Sequence, residues 1–164
     1  MIYLKQLNVN DGNDIYIMLQ GIEQNENEFT NPVKGMNMDE YKKWLTVMDN
    51  WSKGKELKEG YVPQTIYWLY DEETPVGIGK IRHKLTDSSK KFGGNIGYAI
   101  SEKYRGKGYG SIFLNKLIQK ANDLQIEEKV LTVEKYNIAS KKIIEKNGGK
   151  LIEENDKRWI FEII

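Results

Sequence analysis

The spacing of apolar residues along the chain predicts alternating helical and extended segments. Apolar side chains three and four residues apart indicate an amphipathic helix, whereas alternation or short β-branched runs indicate a strand. The helical spacing occurs in four segments, residues 13–22, 37–51, about 108–124 and 137–148. The strand patterns occur in seven segments, residues 2–7, two runs within 64–85, and residues 95–100, 129–135, 149–154 and 158–164.

The order of these segments predicts the fold class. The two runs within residues 64–85 flank Glu73-Thr74-Pro75, which favours a hairpin turn. Strands and helices then alternate to the end of the sequence. That combination predicts a mixed α/β sheet with helices on both faces. The length suits one domain, over residues 1–164.

Some details of the N-terminal half and the centre can be interpreted further. Asp11 or Asn13 is expected to cap the first helix. Trp44 and Trp51 lie at helical spacing in the second helix, which fits packing in the core, although the same pair could line a ligand cleft. Residues 86–94, rich in polar residues and glycine, are expected to form a loop.

Composition narrows the range of chemistry. The chain is 39% hydrophobic, which is enough to bury a core. It contains no cysteine, which excludes disulfides, thiolate zinc sites and a cysteine nucleophile. His83 is the single histidine, so no metal site is expected. No segment approaches about 20 consecutive apolar residues, and the first residues lack a signal-peptide pattern, so we expect a cytoplasmic location without membrane contact.

Charge is unevenly distributed along the chain. The formal net charge of +1 argues against a nucleic-acid partner, which usually requires a basic excess. Residues 11–73 contain 13 acidic residues and six lysines, a net charge of −7. Residues 103–150 contain 11 basic and five acidic residues, a net charge of +6. This contrast suits a cationic ligand near the first region and a polyanionic ligand near the second, but ordinary solvated faces would give it too.

The stretch YRGKGYGS places three glycines, Gly106, Gly108 and Gly110, directly before a predicted helix. The start of a helix offers unpaired N–H groups and a partial positive charge, and glycines let an anion approach them. With Arg105 and Lys107 beside it, this loop could hold a pyrophosphate; a plain glycine-rich turn is the alternative. The stretch fails the P-loop pattern and matches the dinucleotide-binding fingerprint only weakly.

The same stretch resembles the R/Q-x-x-G-x-G/A motif of the GCN5-related N-acetyltransferase (GNAT) superfamily. The order of the flanking segments is also similar to that family: the strand IGYAI, a long amphipathic helix, the strand VLTVEK, and then N-I-A-S followed by NGG. The similarity extends from about Ile96 to Leu151. The chain also resembles a group of predicted bacterial acetyltransferases.

The resemblance implies a mainly antiparallel sheet in which two central parallel strands splay apart to hold acetyl-CoA. Main-chain N–H groups from Gly106 to Ser111 would hold the pyrophosphate, and main-chain groups of residues 98–100 would pair with the pantetheine arm. Asn137 would meet the cofactor from the other side. The residues expected to contact acetyl-CoA are Tyr98, Ala99, Ile100, Arg105, Gly106, Lys107, Gly108, Tyr109, Gly110, Ser111, Asn137 and Ser140.

The family's usual catalytic side chains are absent. Many members have a tyrosine acid where this chain has Ile144, and some have a glutamate base where it has Thr132. His83 and Glu134 are the candidate substitutes for the base, and Tyr98 is a candidate acid. Tyr136 is a further possible acid, although tyrosines in strands mostly pack.

Three functions are therefore considered. The first is an acetyl-CoA-dependent N-acetyltransferase that acts directly on a primary amine of a small molecule or peptide, with a cationic acceptor favoured by the acidic N-terminal region. The second is a non-catalytic acetyl-CoA-binding module, and the third is a nucleotide-dependent enzyme. Because many relatives dimerise, a homodimer is also considered.

Overall fold

The computed structural model describes residues 1–164 as two main antiparallel sheets, a small hairpin and five α-helices. The strands are β1 (Ile2–Gln6), β2 (Asn25–Glu26), β3 (Phe29–Thr30), β4 (Gln64–Asp71), β5 (Thr74–Arg82), β6 (Ile96–Ile100), β7 (Lys129–Glu134), β8 (Gly149–Glu154) and β9 (Arg158–Ile163). The helices are α1 (Asn13–Gln20), α2 (Met38–Ser52), α3 (Asp87–Lys91), α4 (Tyr109–Asp123) and α5 (Ile138–Lys146). None of the helices is long and apolar enough to cross a bilayer.

The larger sheet has the strand order β1-β4-β5-β6, and every neighbouring pair is antiparallel. The hairpin predicted within residues 64–85 is present as β4 and β5, with Trp68 opposite Ile78. On the other side of β5, Gly79 lies opposite Tyr98 of β6. The C-terminal strands form a second antiparallel sheet in the order β7-β9-β8.

The two sheets are joined next to the start of β6. The Asn95 amide N–H donates to the Val130 carbonyl at 3.0 Å, and the Val130 N–H donates to Asn95 Oδ1 at 2.8 Å. No other main-chain hydrogen bond joins β6 or Asn95 to β7. The structure therefore has a gap between these strands, while a parallel course and a splay, which the resemblance implies, stay a prediction.

Helices cover both faces of the larger sheet, as the sequence predicts. Strand β4 shows this directly, because its side chains alternate between two hydrophobic cores. Ile66, Trp68 and Tyr70 pack in a core of 16 buried residues with α1 and α2. Tyr67 and Leu69 pack in a core of 15 buried residues with α4 and the second sheet. The predicted mixed α/β fold class is confirmed.

Two local features differ from the sequence prediction. Residues 86–94 contain the short helix α3 because Thr86 and Ser89 form a reciprocal capping box, in which each side chain accepts the other's N–H. Helix α1 is preceded by Gly12 without a side-chain cap. Asp11, one of the two expected caps, instead accepts hydrogen bonds from Asn8 N–H and the buried Trp68 indole, both at 2.8 Å.

A third difference lies between α1 and α2, where the sequence pattern predicts no strand. Residues 25–30 form the hairpin β2–β3, whose two turn residues, Asn27 and Glu28, have left-handed backbones at φ of 50° and 66°. Two-residue hairpin turns require such angles, and asparagine tolerates them better than most residues. The hairpin brings Glu28 and Phe29 over the gap between β6 and β7.

The close contact between β5 and α4 gives a stability test. A Cβ atom added at Gly79 would lie 2.8 Å from two carbons of the Phe113 ring and 2.9 Å from Leu117 Cδ1. We expect Gly79→Ala to lower the free energy of unfolding by about 1–3 kcal/mol, because α4 must move outward. Urea denaturation followed by tryptophan fluorescence measures this change.

Gly97→Ala, on the neighbouring strand, is the matched control. Its Cβ atom would lie 3.4 Å from Phe29 Cδ2, an ordinary contact, so the free energy of unfolding should change by less than about 1 kcal/mol. Equal unfolding midpoints for the two variants would contradict the close packing of α4 on β5.

Candidate functional site

The gap between the two sheets opens into a cleft with a volume of about 390 Å³. Strands β6 and β7, the start of α4, the start of α5 and the β2–β3 hairpin form its walls. Eleven of the 12 residues that the sequence associates with the cofactor line it: Tyr98, Ala99, Ile100, Arg105, Gly106, Gly108, Tyr109, Gly110, Ser111, Asn137 and Ser140. Lys107 does not line the cleft.

The glycine loop leaves the start of α4 bare. Gly106 and Gly108 have left-handed backbones, at φ of 76° and 85°, and a Cβ atom at either position would meet open space. Gly108 precedes the helix and no side chain caps it. The N–H groups of the first helical turn therefore lack a protein partner and carry the partial positive charge of the helix terminus. This arrangement suits an anion.

Gly110 has a different role from the other two glycines. A Cβ atom there would lie 3.1 Å from Ile143 Cδ1 of α5 and 3.5 Å from the Tyr98 ring of β6. The absent side chain thus lets the first turn of α4 pack closely against both elements, which fixes the position of its N–H groups.

Arg105 ties the glycine loop to the hairpin. Its Nε donates to the Ile100 carbonyl at 2.9 Å, and its terminal guanidinium nitrogen pairs with the Glu26 carboxylate of β2. The Arg105 side chain is partly exposed at the mouth of the cleft, and the Glu26 carboxylate compensates its charge. A single side chain therefore connects the end of β6, the loop and the hairpin.

Strand β6 offers an open edge to the cleft. It pairs with β5 on one side only, so alternate N–H and C=O groups of residues 96–100 face the gap. Unpaired main-chain groups at an edge can accept an extended ligand as an added strand. This edge is where the resemblance places the main-chain groups of Tyr98, Ala99 and Ile100.

The Tyr98 hydroxyl is buried in the wall of the cleft and has no hydrogen-bond partner in the protein. Burial raises the pKa of Tyr98, although the nearby Ser140 side chain lowers it in part. The phenol therefore keeps its proton at neutral pH and has a donor available. Of the three catalytic candidates from the sequence, Tyr98 alone lines the cleft.

The other two catalytic candidates lie elsewhere. His83 follows β5, and its Nε2 lies 2.7 Å from Thr65 Oγ1. Burial lowers the pKa of His83, but the ring does not line the cleft. Glu134 ends β7 and does not line the cleft either. Tyr136, the further acid considered, is exposed, with its hydroxyl 3.5 Å from Asn27 Oδ1.

Asn137 and Ser140 form the start of α5. The Asn137 Oδ1 atom accepts the Ser140 N–H at 3.1 Å, which is the hydrogen bond of a helix cap. Both residues also line the cleft, and Ile144, one turn further along α5, is buried beneath it. An aliphatic side chain at position 144 therefore supplies packing to this wall and no proton.

Glu28 is an ionisable residue of the cleft that no sequence pattern reveals. Its carboxylate is 2% exposed and lies between two partners. Arg158 Nε donates to Oε1 at 2.7 Å, and Thr132 Oγ1 donates to Oε2 at 2.6 Å. Thr132 in turn accepts the Gly93 N–H at 2.8 Å. A buried carboxylate thus stands beside the threonine that occupies the expected glutamate position.

A second cavity, of about 840 Å³, lies between α2 and the face of β4 and β5. Trp44 and Trp51 both line it, and Trp44 also belongs to the core. The two interpretations of this tryptophan pair, core packing and cleft wall, therefore apply together. No group of three or more histidine, cysteine, aspartate or glutamate side chains is arranged to hold a metal ion.

Solved structures of acetyltransferases share this fold. The Campylobacter jejuni N-acetyltransferase PseH in complex with acetyl coenzyme A superposes with a TM-score of 0.64 at 13% identity, over 99% of this chain and 98% of that chain. A Vibrio cholerae spermidine N-acetyltransferase SpeG chimera with hSSAT gives 0.67 at 12% identity, over 99% and 95%. The microcin C7 self-immunity acetyltransferase MccE, in complex with acetyl-CoA and AMP, gives 0.69 at 16% identity, over 99% and 92%.

Comparison of sequences gives the family. A search of curated proteins found no match. The family model described as "Acetyltransferase (GNAT) domain", however, matches residues 2–150, which is nearly the whole chain. The glycine loop, the open edge of β6 and the start of α5 lie within that match. The chain belongs to the GNAT acetyltransferases, enzymes that use acetyl-CoA as co-substrate.

Proposed function

We propose that the cleft binds acetyl-CoA and that the chain transfers the acetyl group directly to a primary amine. The observation that carries this proposal is the meeting of three features in one cleft. These are the bare start of α4, the open edge of β6 and the start of α5. Because the chain has no cysteine, a thiol acyl-enzyme is excluded, and we favour transfer within a ternary complex.

The residues of the cleft fit the cofactor. Main-chain N–H groups from Gly106 to Ser111 would hold its pyrophosphate, where side chains leave open space and the helix terminus is positive. The remaining guanidinium N–H groups of Arg105 would be available to the phosphates at the mouth, and residues 98–100 would pair with the pantetheine arm along their free edge. Asn137 and Ser140 would contact the cofactor from the opposite wall.

The chemistry requires a proton acceptor more than a proton donor. An alkyl amine with a pKa near 10.4 lies about 3.4 units above pH 7, so its deprotonation costs roughly 4–5 kcal/mol. A thiol with a pKa near 8.5 leaves with far less help. Acetyl-CoA supplies the acetyl group, whose carbon–sulfur bond breaks as the carbon–nitrogen bond to the acceptor forms.

Glu28 is the residue best placed to take the proton of the amine. Glu28 lines the cleft, and Arg158 Nε donates to its carboxylate at 2.7 Å. Each carboxylate oxygen uses one lone pair on Arg158 or Thr132 and keeps another for a third donor. An incoming ammonium group would be that donor, and the proton would pass from its nitrogen to Glu28.

Tyr98 would return a proton to the departing sulfur. Tyr98 lines the cleft, its buried hydroxyl has no hydrogen-bond partner, and its raised pKa keeps the phenol protonated until the thiolate forms. In this assignment the carboxylate and the phenol replace the two side chains that the family usually has at positions 132 and 144. The ammonium nitrogen loses two protons as it becomes an amide. The first would pass to Glu28, and the second would replace the proton that Tyr98 gives to the sulfur, so one proton in all is released, from Glu28 to water.

Binding and turnover test the proposal together. We expect acetyl-CoA to raise the melting temperature of the chain, because a ligand that binds only the folded state stabilises it. Thiol release, followed with a chromogenic disulfide, should then require both acetyl-CoA and a primary amine. Binding without thiol release across a broad amine panel would favour the non-catalytic module. Stabilisation by nucleotides but not by coenzyme A would favour a nucleotide-dependent enzyme.

Gly108→Asp tests the position of the pyrophosphate. A carboxylate at this point would repel the phosphates and occupy the open space in front of the helix. We expect acetyl-CoA affinity, measured by calorimetry, to fall by at least about tenfold, the equivalent of one lost charge-assisted contact. Gly35→Asp is the matched control: Gly35 has a φ of 87° and open space around it, but lies away from the cleft. Equal affinity in both variants would place the cofactor elsewhere.

Glu28→Gln tests the proton acceptor. Glutamine keeps the shape of the side chain and can still accept from Arg158, but it cannot take a proton at neutral pH. We expect kcat to fall by about 10²–10⁴-fold, the usual contribution of general acid–base catalysis, with acetyl-CoA affinity unchanged. Glu23→Gln, an exposed position just before the hairpin, is the control and should retain full turnover. Unchanged kcat in Glu28→Gln would exclude this role.

A further inference from the structure

The second cavity is built from parts of the chain outside the acetyl-CoA cleft. Helix α2 forms one wall and the sheet face of β4 and β5 forms the other, while residues 58–62 and 86–92 border the opening. At about 840 Å³ it falls in the size range of small-molecule sites.

The two cavities lie on adjacent strands. Ile78 and Lys80 of β5 line the second cavity, and their register partners Ala99 and Gly97 of β6 line the cleft. Paired residues of antiparallel strands share a face, and neighbouring strands are about 4.8 Å apart. A small molecule that occupies the second cavity could therefore extend one end to the thioester side of β6.

The β2–β3 hairpin forms the partition between the cavities. Phe29 lines the cleft, whereas the next residue, Thr30, lines the second cavity. The Lys80 ammonium lies 5.2 Å from the centre of the Phe29 ring, on the boundary. Lys80 therefore stands at the point where a ligand would pass from one cavity towards the other.

The charge in the second cavity is predominantly positive. Four cationic side chains line it, Lys43, Lys58, Lys80 and Arg82, together with one carboxylate, Glu40. The Glu40 carboxylate already has a hydrogen-bond partner, because it accepts the Asn37 N–H in the capping box of α2.

None of the four cations forms an ion pair in the protein. Arg82 donates to the Gly94 carbonyl at 2.8 Å, and Lys80 makes no hydrogen bond to any protein group. Uncompensated cations that are partly buried cost free energy unless an anion joins them. The two cations on β5, Lys80 and Arg82, therefore indicate that the ligand carries an anionic group.

The remaining walls are apolar and aromatic. Trp51 and Tyr61 meet edge to face, with ring centres 5.3 Å apart, and Lys58 lies over both rings. Trp44 and Phe92 extend the same lining. Such walls bind an apolar or aromatic body, because its surface leaves water on entry.

We propose that this cavity holds the acceptor, and that the acceptor is an amine that also carries a carboxylate or phosphate group. The acidic group would pair with Lys80 and Arg82, the apolar body would contact Trp51 and Tyr61, and the amine would reach past Phe29 to Glu28. This rests on the acetyl transfer proposed above. It replaces the cationic acceptor that the charge of residues 11–73 suggested.

The protonation of Lys80 is consistent with binding an anionic group. Burial, with a smaller contribution from Arg82, lowers the pKa of Lys80 to about 8. The other groups that line the cavity around it are Glu40 and Lys43 of α2 and Lys58 and Tyr61 of the connecting segment. At neutral pH Lys80 is therefore mostly charged, and a bound anion would hold its proton more firmly.

Pairs of acceptors that differ in one anionic group test the proposal. L-phenylalanine is compared with L-phenylalaninamide, and O-phosphotyramine with tyramine, which separates the carboxylate from the phosphate. In at least one pair, we expect the member with the anionic group to have the higher kcat/KM. Lys80→Met should lower the kcat/KM of that member by about 10- to 100-fold, as expected for the loss of a charge-assisted hydrogen bond. Turnover of the member that lacks the anionic group should change little.

The controls separate charge from packing. Lys80→Arg should retain most of the preference for the acceptor with the anionic group. Lys84 is exposed and lies just after β5, so Lys84→Met should behave as the wild type. The preference should also weaken above about pH 8 in the wild type, as Lys80 loses its proton, but not in Lys80→Arg. A preference for neutral amines or spermidine, or an unchanged preference in Lys80→Met, would overturn the proposal.

A binding measurement tests the acceptor site independently of turnover. Calorimetry with N-acetyl-L-phenylalanine and N-acetyl-O-phosphotyramine, without acetyl-CoA, should show binding of at least one ligand that Lys80→Met weakens. Such binding without any amine turnover would contradict the transferase while the cavity assignment stands. Failure of both ligands to bind, alongside acetyl-CoA-dependent turnover of neutral amines, would contradict the cavity assignment alone.

Discussion

The functional cleft depends on one constraint: the main chains of β6 and β7 are hydrogen-bonded only beside the start of β6, at Asn95. Asn95 is 1% exposed, and its side chain and main chain together make the connection. Its N–H donates to the Val130 carbonyl, its Oδ1 accepts the Val130 N–H, and its Nδ2 donates to the Glu128 carbonyl at 2.7 Å. Beyond this point β6 has no strand partner on that side. Because buried main-chain groups need partners, this free edge must face water or a ligand.

The cleft is completed by segments that are remote in the sequence. Glu28 reaches Thr132 across 104 residues and Arg158 across 130 residues. A carboxylate as deeply buried as this one is stable only when a cation and hydrogen-bond donors compensate for its loss of water. Arg158 and Thr132 supply that compensation, so the fold of the second sheet and the position of the proposed proton acceptor depend on each other. The Arg105–Glu26 pair attaches the same hairpin to the glycine loop.

The features that could be predicted from the sequence are those that short-range patterns determine. The main strands and four longer helices follow apolar spacing, and the family, the fold class and the use of acetyl-CoA are confirmed. The hairpin β2–β3 was missed because its strands have only two residues each, too few for a periodic pattern. The role proposed for Glu28 has no sequence signal for a different reason: its partners Thr132 and Arg158 are set by tertiary structure. The pKa range of histidine makes His83 a candidate base, but residue type alone gives no information on its distance from the cleft, which it does not line. The roles of all these site residues stay predictions.

The sign of the acceptor's charge shows why regional charge is a weak guide to a binding site. The count for residues 11–73 includes 13 acidic side chains, but only one of them, Glu40, lines the second cavity. Lys80 and Arg82 lie outside both counted regions, on the strand next to the cleft. Solvated charges on an outer face are screened within about 8–10 Å, whereas partly buried cations act on a ligand with little screening. The few charges inside a cavity therefore outweigh the many outside it, which is why the cavity lining, and not the charge of the region, defines the proposed acceptor.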